Sequence, residues 1–104
     1  MVWHLRLRPA PGLFAFAVPN GGYRRPAEAR ILVGLGVVPG VPDIIAIKDG
    51  RSYALERERG RLTAAQQQVL DQLQAAGAVT AVACGLKAAI RQLEAWGLLR
   101  GAVT

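Results

Sequence analysis

Apolar positions along the chain change their period several times, and each change marks an element. Residues 13–18, "LFAFAV", form a short apolar run with two aromatics between "RPAPG" and "PNGGYRRP". Its length and boundaries predict a well-buried strand. The "PNGGYRRP" stretch reads as a loop whose Asn-Gly-Gly core permits positive backbone angles. Residues 27–36, "AEARILVGLG", read as a short helix with Pro26 suited to its first turn and Gly36 to its end. "DIIAIK" (43–48) and "SYALE" (52–56) flank Asp49-Gly50, the clearest hairpin signal in the chain. "TAAQ" (63–66) has capping-box spacing, with Thr63 as N-cap and Gln66 at N3, and Val69, Leu70 and Leu73 continue that helix toward Gly77. "VTAVAC" (79–84) is another strand, and Leu86, Ala89, Ile90, Leu93 and Trp96 mark one face of a last helix. Residues 1–12 carry no clear element, and the tail after Gly97 reads as loose. The order strand, helix, hairpin, helix, strand, helix predicts a mixed α/β (α+β) fold, a small central mixed sheet flanked by helices.

Composition narrows this picture. At 104 residues, 52% of them hydrophobic, the chain is sized for one domain over 1–104 with a genuine core. No window holds the roughly 18 apolar residues of a membrane span, and the start lacks a secretory pattern. One cysteine, Cys84, excludes an intrachain disulfide framework and a cysteine metal cluster, which fits a reducing cytoplasm. Ending an apolar strand, Cys84 reads as a buried structural thiol, and His4 as a surface or packing residue. Thirteen Lys and Arg against seven Asp and Glu give a net charge of +6. Eleven of the thirteen are Arg, a side chain matched to bidentate phosphate contacts. A polyanion such as nucleic acid is the partner this charge would suit, with a basic host proteome or simple solubility as the competing explanations.

The acids of the hairpin supply candidate chemistry. A two-residue Asp49-Gly50 turn sets Lys48 opposite Arg51 and, continuing the same register, Asp43 opposite Glu56. Opposed residues share a face with their β-carbons about 5 Å apart. Two adjacent carboxylates need compensation, and a divalent cation such as Mg2+ or Mn2+ supplies it. Glu58 returns to the same face if the strand continues, and a main-chain carbonyl near Arg57 adds a further oxygen. The alternative is structural: Asp43 as a strand-initiating acid after Pro42, and Glu56 paired with a neighbouring Arg.

The ordered set "NGG-Y-R", "AEA", "GVVPGVPD", hairpin and "GRLTAAQ" resembles the virus-type replication-repair nuclease (VRR-NUC) domain of the PD-(D/E)XK superfamily, over roughly residues 12–97. The resemblance implies a restriction-endonuclease-like core and metal-dependent cleavage of phosphodiesters in branched or structured DNA, such as four-way junctions. Asp43 matches the Asp of the family's "GxPD" motif, Glu56 the Glu of its E-x-K motif, and Gln66 a Gln on the following helix. Asp43, Glu56 and Gln66 are then the catalytic set, with Asp43, Glu56 and Glu58 toward the metal. Gln66 is also fully accounted for as a helix cap. Asn20, Gly21 and Gly22 suit close approach to phosphate, Tyr23 could stack on a base, and Arg24, Arg25, Arg57, Arg59 and Arg61 offer cationic contacts. Stand-alone relatives of this kind resemble homodimers that act on two-fold branched DNA.

The chain departs from the pattern twice. Glu58 stands where the family carries lysine; alternatively, "LERERG" is two residues shorter than the family's usual run. The usual N-terminal helix with its metal-associated Glu has no counterpart in "MVWHLRLRPAPG". Three readings therefore stand: an active structure-specific nuclease, a weak or inactive DNA-binding relative, and an interaction domain without DNA chemistry.

Overall fold

Asp49 and Gly50 both adopt left-handed backbone angles, φ 53° and φ 74°. That is the requirement of a two-residue type I′ turn, whose twist matches that of the strands it joins. The turn closes a hairpin of β2 (Ile44–Lys48) and β3 (Arg51–Arg57), in which Lys48 faces Arg51 and Ile44 faces Leu55. The structure is a computed structural model that describes residues 2–18, 30, 36 and 38–101. Besides the hairpin these contain α1 (Val2–Leu7), β1 (Phe14–Ala17), α2 (Ala64–Ala75), β4 (Val79–Ala83) and α3 (Leu86–Ala95). Of the predicted helix over 27–36 only Arg30, which is helical, and Gly36, in a turn, are described, and the 19–26 loop, with Asn20, Gly21, Gly22, Tyr23, Arg24 and Arg25, lies outside the described residues.

The strands form one mixed sheet in the order β1-β2-β3-β4. β1 and β2 pair antiparallel, as do β2 and β3, while β3 and β4 are parallel and joined through α2. One sheet face carries Ile44, Ala46, Leu55 and Ala83, which cluster with Leu5 of α1, Ala89 and Leu93 of α3, and Leu98 and Leu99. This is the core. The opposite face takes α2, whose buried Val69 and Leu70 stand outside that cluster. Helices on both faces of a small mixed sheet give the architecture predicted from the pattern. No described helix is long and apolar enough to cross a membrane.

Four expectations need correction. Residues 2–7 are helical, and Leu5 belongs to the core. A six-residue helix gains little from propensity alone, so its weak sequence signal is overridden by docking. The run at 13–18 forms its strand, but Phe14 and Phe16 are exposed because β1 is an edge strand with only one face on the core. Cys84 is also exposed, one residue past the end of β4. The tail is anchored: Leu98 and Leu99 are buried, and Pro9 and Leu99 form an antiparallel bridge.

Arg8 fastens this junction of the two ends. Its guanidinium donates to the Glu94 carboxylate at 2.8 Å and to the carbonyls of Arg100 and Gly101 at 2.8 and 2.7 Å. Its Nε donates to His4 Nδ1 at 3.3 Å, which gives His4 the local packing role expected of it. The Glu94 side chain is only 5% exposed and its second oxygen has no hydrogen-bond partner. Removing Arg8 strands that carboxylate. Arg8→Ala is expected to cost about 3 kcal/mol in urea unfolding, the scale for breaking a buried pair from one side, whereas Arg8→Ala/Glu94→Gln recovers part of the loss.

Candidate active site

Continuing the hairpin register one rung past Ile44 and Leu55 places Asp43 beside Glu56 on one face. The backbone holds Asp43 there from both sides. Its carbonyl accepts from Val18 N–H at 2.7 Å, and its carboxylate Oδ2 accepts from Arg57 N–H at 2.9 Å. Glu56 is 3% exposed, and its Oε2 is buried with no hydrogen-bond partner. A buried polar group in that condition is costly unless something else satisfies it. Burial, then the adjoining Asp43 carboxylate and finally Glu58, push the Glu56 carboxyl up from 4.5 to about 7.

Glu58 follows the end of β3. Its N–H donates to the Ala83 carbonyl at 3.0 Å, tying it to β4. Its carboxylate accepts from the Arg59 and Gly60 amides at 2.9 and 3.4 Å and makes a longer 3.5 Å contact with Gln66 Nε2. Those amides, then Gln66, hold Glu58 below the ordinary carboxylate range. The environments thus divide the acids: Glu56 favours its protonated form, and Glu58 its ionised form.

Gln66 reaches the site through the start of α2. Thr63 Oγ1 accepts from Gln66 N–H at 3.1 Å, and Gln66 Oε1 accepts from Thr63 N–H at 2.8 Å, a complete capping box. With its oxygen committed to the cap, Gln66 turns its amide nitrogen toward Glu58. Its role as a cap and its place in the site are therefore compatible.

Asp43, Glu56, Glu58 and Gln66 border one cleft of about 410 Å3, together with Arg57, Thr63 and the 39–41 turn. Arg59 and Arg61 are exposed and do not line it. Gly40 was not singled out by the sequence, but it sets the cleft's width. At φ 83°, an added β-carbon would fall 2.7 Å from the Ala65 carbonyl carbon and 2.8 Å from the Gln66 nitrogen. The turn thus rests directly on the backbone of α2. "VVPGVP" announces a turn, but nothing local to it identifies the helix it meets.

Among the described residues, no group of three or more His, Cys, Asp and Glu side chains is arranged to hold a metal ion. Carboxylate ligation here centres on Asp43 and Glu56. The pair fits a hard divalent cation: both side chains offer oxygen, the charges are adjacent, and one buried oxygen lacks a partner.

No family model matches the sequence, and no curated protein matches it. In structure, the chain resembles a solved "VRR_NUC domain protein" with a TM-score of 0.65 and 22% identity. The chain has a VRR-NUC-like fold. The superposition covers 80% of this chain and 66% of the other, so this chain spans just under two thirds of its neighbour's length. In this VRR-NUC-like frame, the three residues matched to family motifs by sequence (Asp43, Glu56 and Gln66) border the same cleft.

Two measurements test this geometry. Gly40→Ala should lower stability by more than about 2 kcal/mol in urea unfolding, since it adds both a left-handed alanine and a backbone clash. With chelator present, Glu56 should make the protein lose stability as pH rises. Its folded-state pKa is raised, so the favourable contribution is complete below 4.5 and disappears as pH climbs through about 7. Thermal melts from pH 4.5 to 8 should show this decline in the wild type and a flatter profile in Glu56→Gln. A wild-type melting temperature rising across that range relative to Glu56→Gln contradicts the assignment.

Proposed function

We propose that the cleft is the active site of a divalent-metal-dependent nuclease acting on DNA phosphodiesters, with branched or structured DNA such as four-way junctions as substrate. The observation that carries this reading is the juxtaposition of Asp43 with a buried Glu56 oxygen that lacks a partner. The VRR-NUC-like fold and the basic composition support it.

In this reading Asp43 and Glu56 hold Mg2+ or Mn2+. The cation supplies charge neutralisation at the phosphate and lowers the pKa of bound water. Arg57 N–H fixes the Asp43 carboxylate in place. The capping box positions Gln66, which reaches Glu58 across the cleft. The Glu58 carboxylate is committed to the Arg59 and Gly60 amides and to Gln66, and unlike the family's lysine it cannot neutralise phosphate charge. Positive charge in this stretch comes instead from the exposed Arg59 and Arg61, which follow Glu58 in sequence. Two copies acting together would match the two-fold symmetry of a four-way junction, and a cytoplasmic setting suits the reduced thiol.

The acid at Glu58 favours a second reading, a weakly active or inactive DNA-binding relative. Incubation with four-way, flap and linear duplex DNA separates the two. The active reading expects cleavage with Mg2+ or Mn2+, none with chelator, and a loss of at least about 100-fold in Asp43→Ala. DNA affinity should stay within about threefold and fall steeply with salt, as phosphate contacts require. Salt-sensitive binding without cleavage favours the inactive relative. Cleavage that survives Asp43→Ala places the chemistry elsewhere.

A further inference from the structure

The sheet face that bears the carboxylates is covered unevenly. On β3, Ala54 and Glu56 are buried, whereas on β4 their neighbour Val82 is 47% exposed. On its β1–β2 side, Phe14 is 66% exposed, Phe16 44% and Ile47 41%. The register fixes how these residues align. Phe14 faces Ile47 and Phe16 faces Ile45, and the next rung on this face joins Val18 to Asp43 through the 2.7 Å backbone hydrogen bond. Phe14, Phe16 and the Asp43–Glu56 pair therefore occupy three successive rungs of one face. Each rung is about 6.8 Å from the next, two residues of strand rise.

We infer that Phe14 and Phe16 form a stacking platform for unpaired nucleobases, which leads a single DNA strand along β1 toward the carboxylate cleft. Chemistry favours this occupant. Exposed aromatic rings beside a cationic surface are how single strands are bound without sequence preference. A net charge of +6, carried mainly by Arg, attracts the polyanion. The ring centroids of Phe14 and Phe16 are 5.9 Å apart and the rings are inclined by 51°, so each presents a separate surface. The bases of a duplex are paired and stacked on one another and present no free face to these rings, whereas the unpaired bases of a single strand do.

A second protein chain suits the patch less well. The exposed portions of Phe14, Phe16 and Ile47 amount to on the order of 300 Å2, against about 800 Å2 per partner in a standard interface. The inference rests on the nucleic-acid reading above for its ligand, but not on cleavage.

The test uses the full chain in chelator, so that no strand is cut. Labelled oligothymidylate and a blunt duplex are titrated into the wild type, Phe14→Ala, Phe16→Ala and Phe14→Tyr, with size-exclusion light scattering alongside. Each Ala variant should bind oligothymidylate roughly 5- to 100-fold more weakly, with duplex affinity changed by less than about twofold. Phe14→Tyr, which keeps a ring face, should bind as the wild type does. Because both rings are exposed, melting temperatures of the variants should stay near that of the wild type. Equal losses for single strand and duplex, unchanged single-strand affinity, or no DNA binding at all overturns the inference. So does a wild-type dimer that either Ala substitution dissociates, which would identify the patch as a protein interface. Phenylalanine-dependent single-strand binding without Mg2+-dependent cleavage keeps this inference and overturns the nuclease reading. Cleavage with no phenylalanine dependence does the reverse.

Discussion

The tight turn at Asp49-Gly50 is the constraint on which the rest of the site depends. A two-residue turn leaves one register available, and strand periodicity carries that register to the far end of the hairpin. A slip of one residue would send Asp43 to the core face, where Ile44 and Ala46 now pack. The hydrophobic pattern of β2 opposes such a slip, so the same apolar side chains that build the core also keep the two carboxylates together. The repulsion between them is tolerated because an extensive ladder and a buried face hold the hairpin closed.

Around that pair, backbone groups provide most of the positioning. Asp43 is fixed by one amide and, through its carbonyl, by another. Glu58 is fixed by the amides that follow it, and Gln66 by a reciprocal cap. Gly40 brings the preceding turn onto the first turn of α2 at a separation no side chain could allow. The cleft is consequently assembled from strand ends and a helix start, where hydrogen-bonding groups are free to hold side chains in place.

The hairpin, the capping box and the last helix were legible in the sequence because each has a local signature: a Gly-containing turn, a Thr-to-Gln spacing and an apolar stripe. The register they imply brought Asp43, Glu56 and Gln66 to one cleft. Other features depend on contacts between distant segments and left no such trace. Leu5 and Leu98 are buried because the two ends of the chain pack on the same sheet face, and neither end reads as ordered in isolation. The exposure of Phe14 and Phe16 follows from the edge position of β1, which the strand's own apolar run conceals. Gly40 looks like any turn glycine until α2 is placed against it.

The antiparallel contact between segments 8–10 and 98–100 has a topological consequence. Ala10 donates to the Leu98 carbonyl and Arg100 to that of Arg8, so two segments far apart in sequence are pinned side by side. Everything between them, sheet and helices alike, is closed into one loop by hydrogen bonds, and fraying at that seam would loosen both segments together.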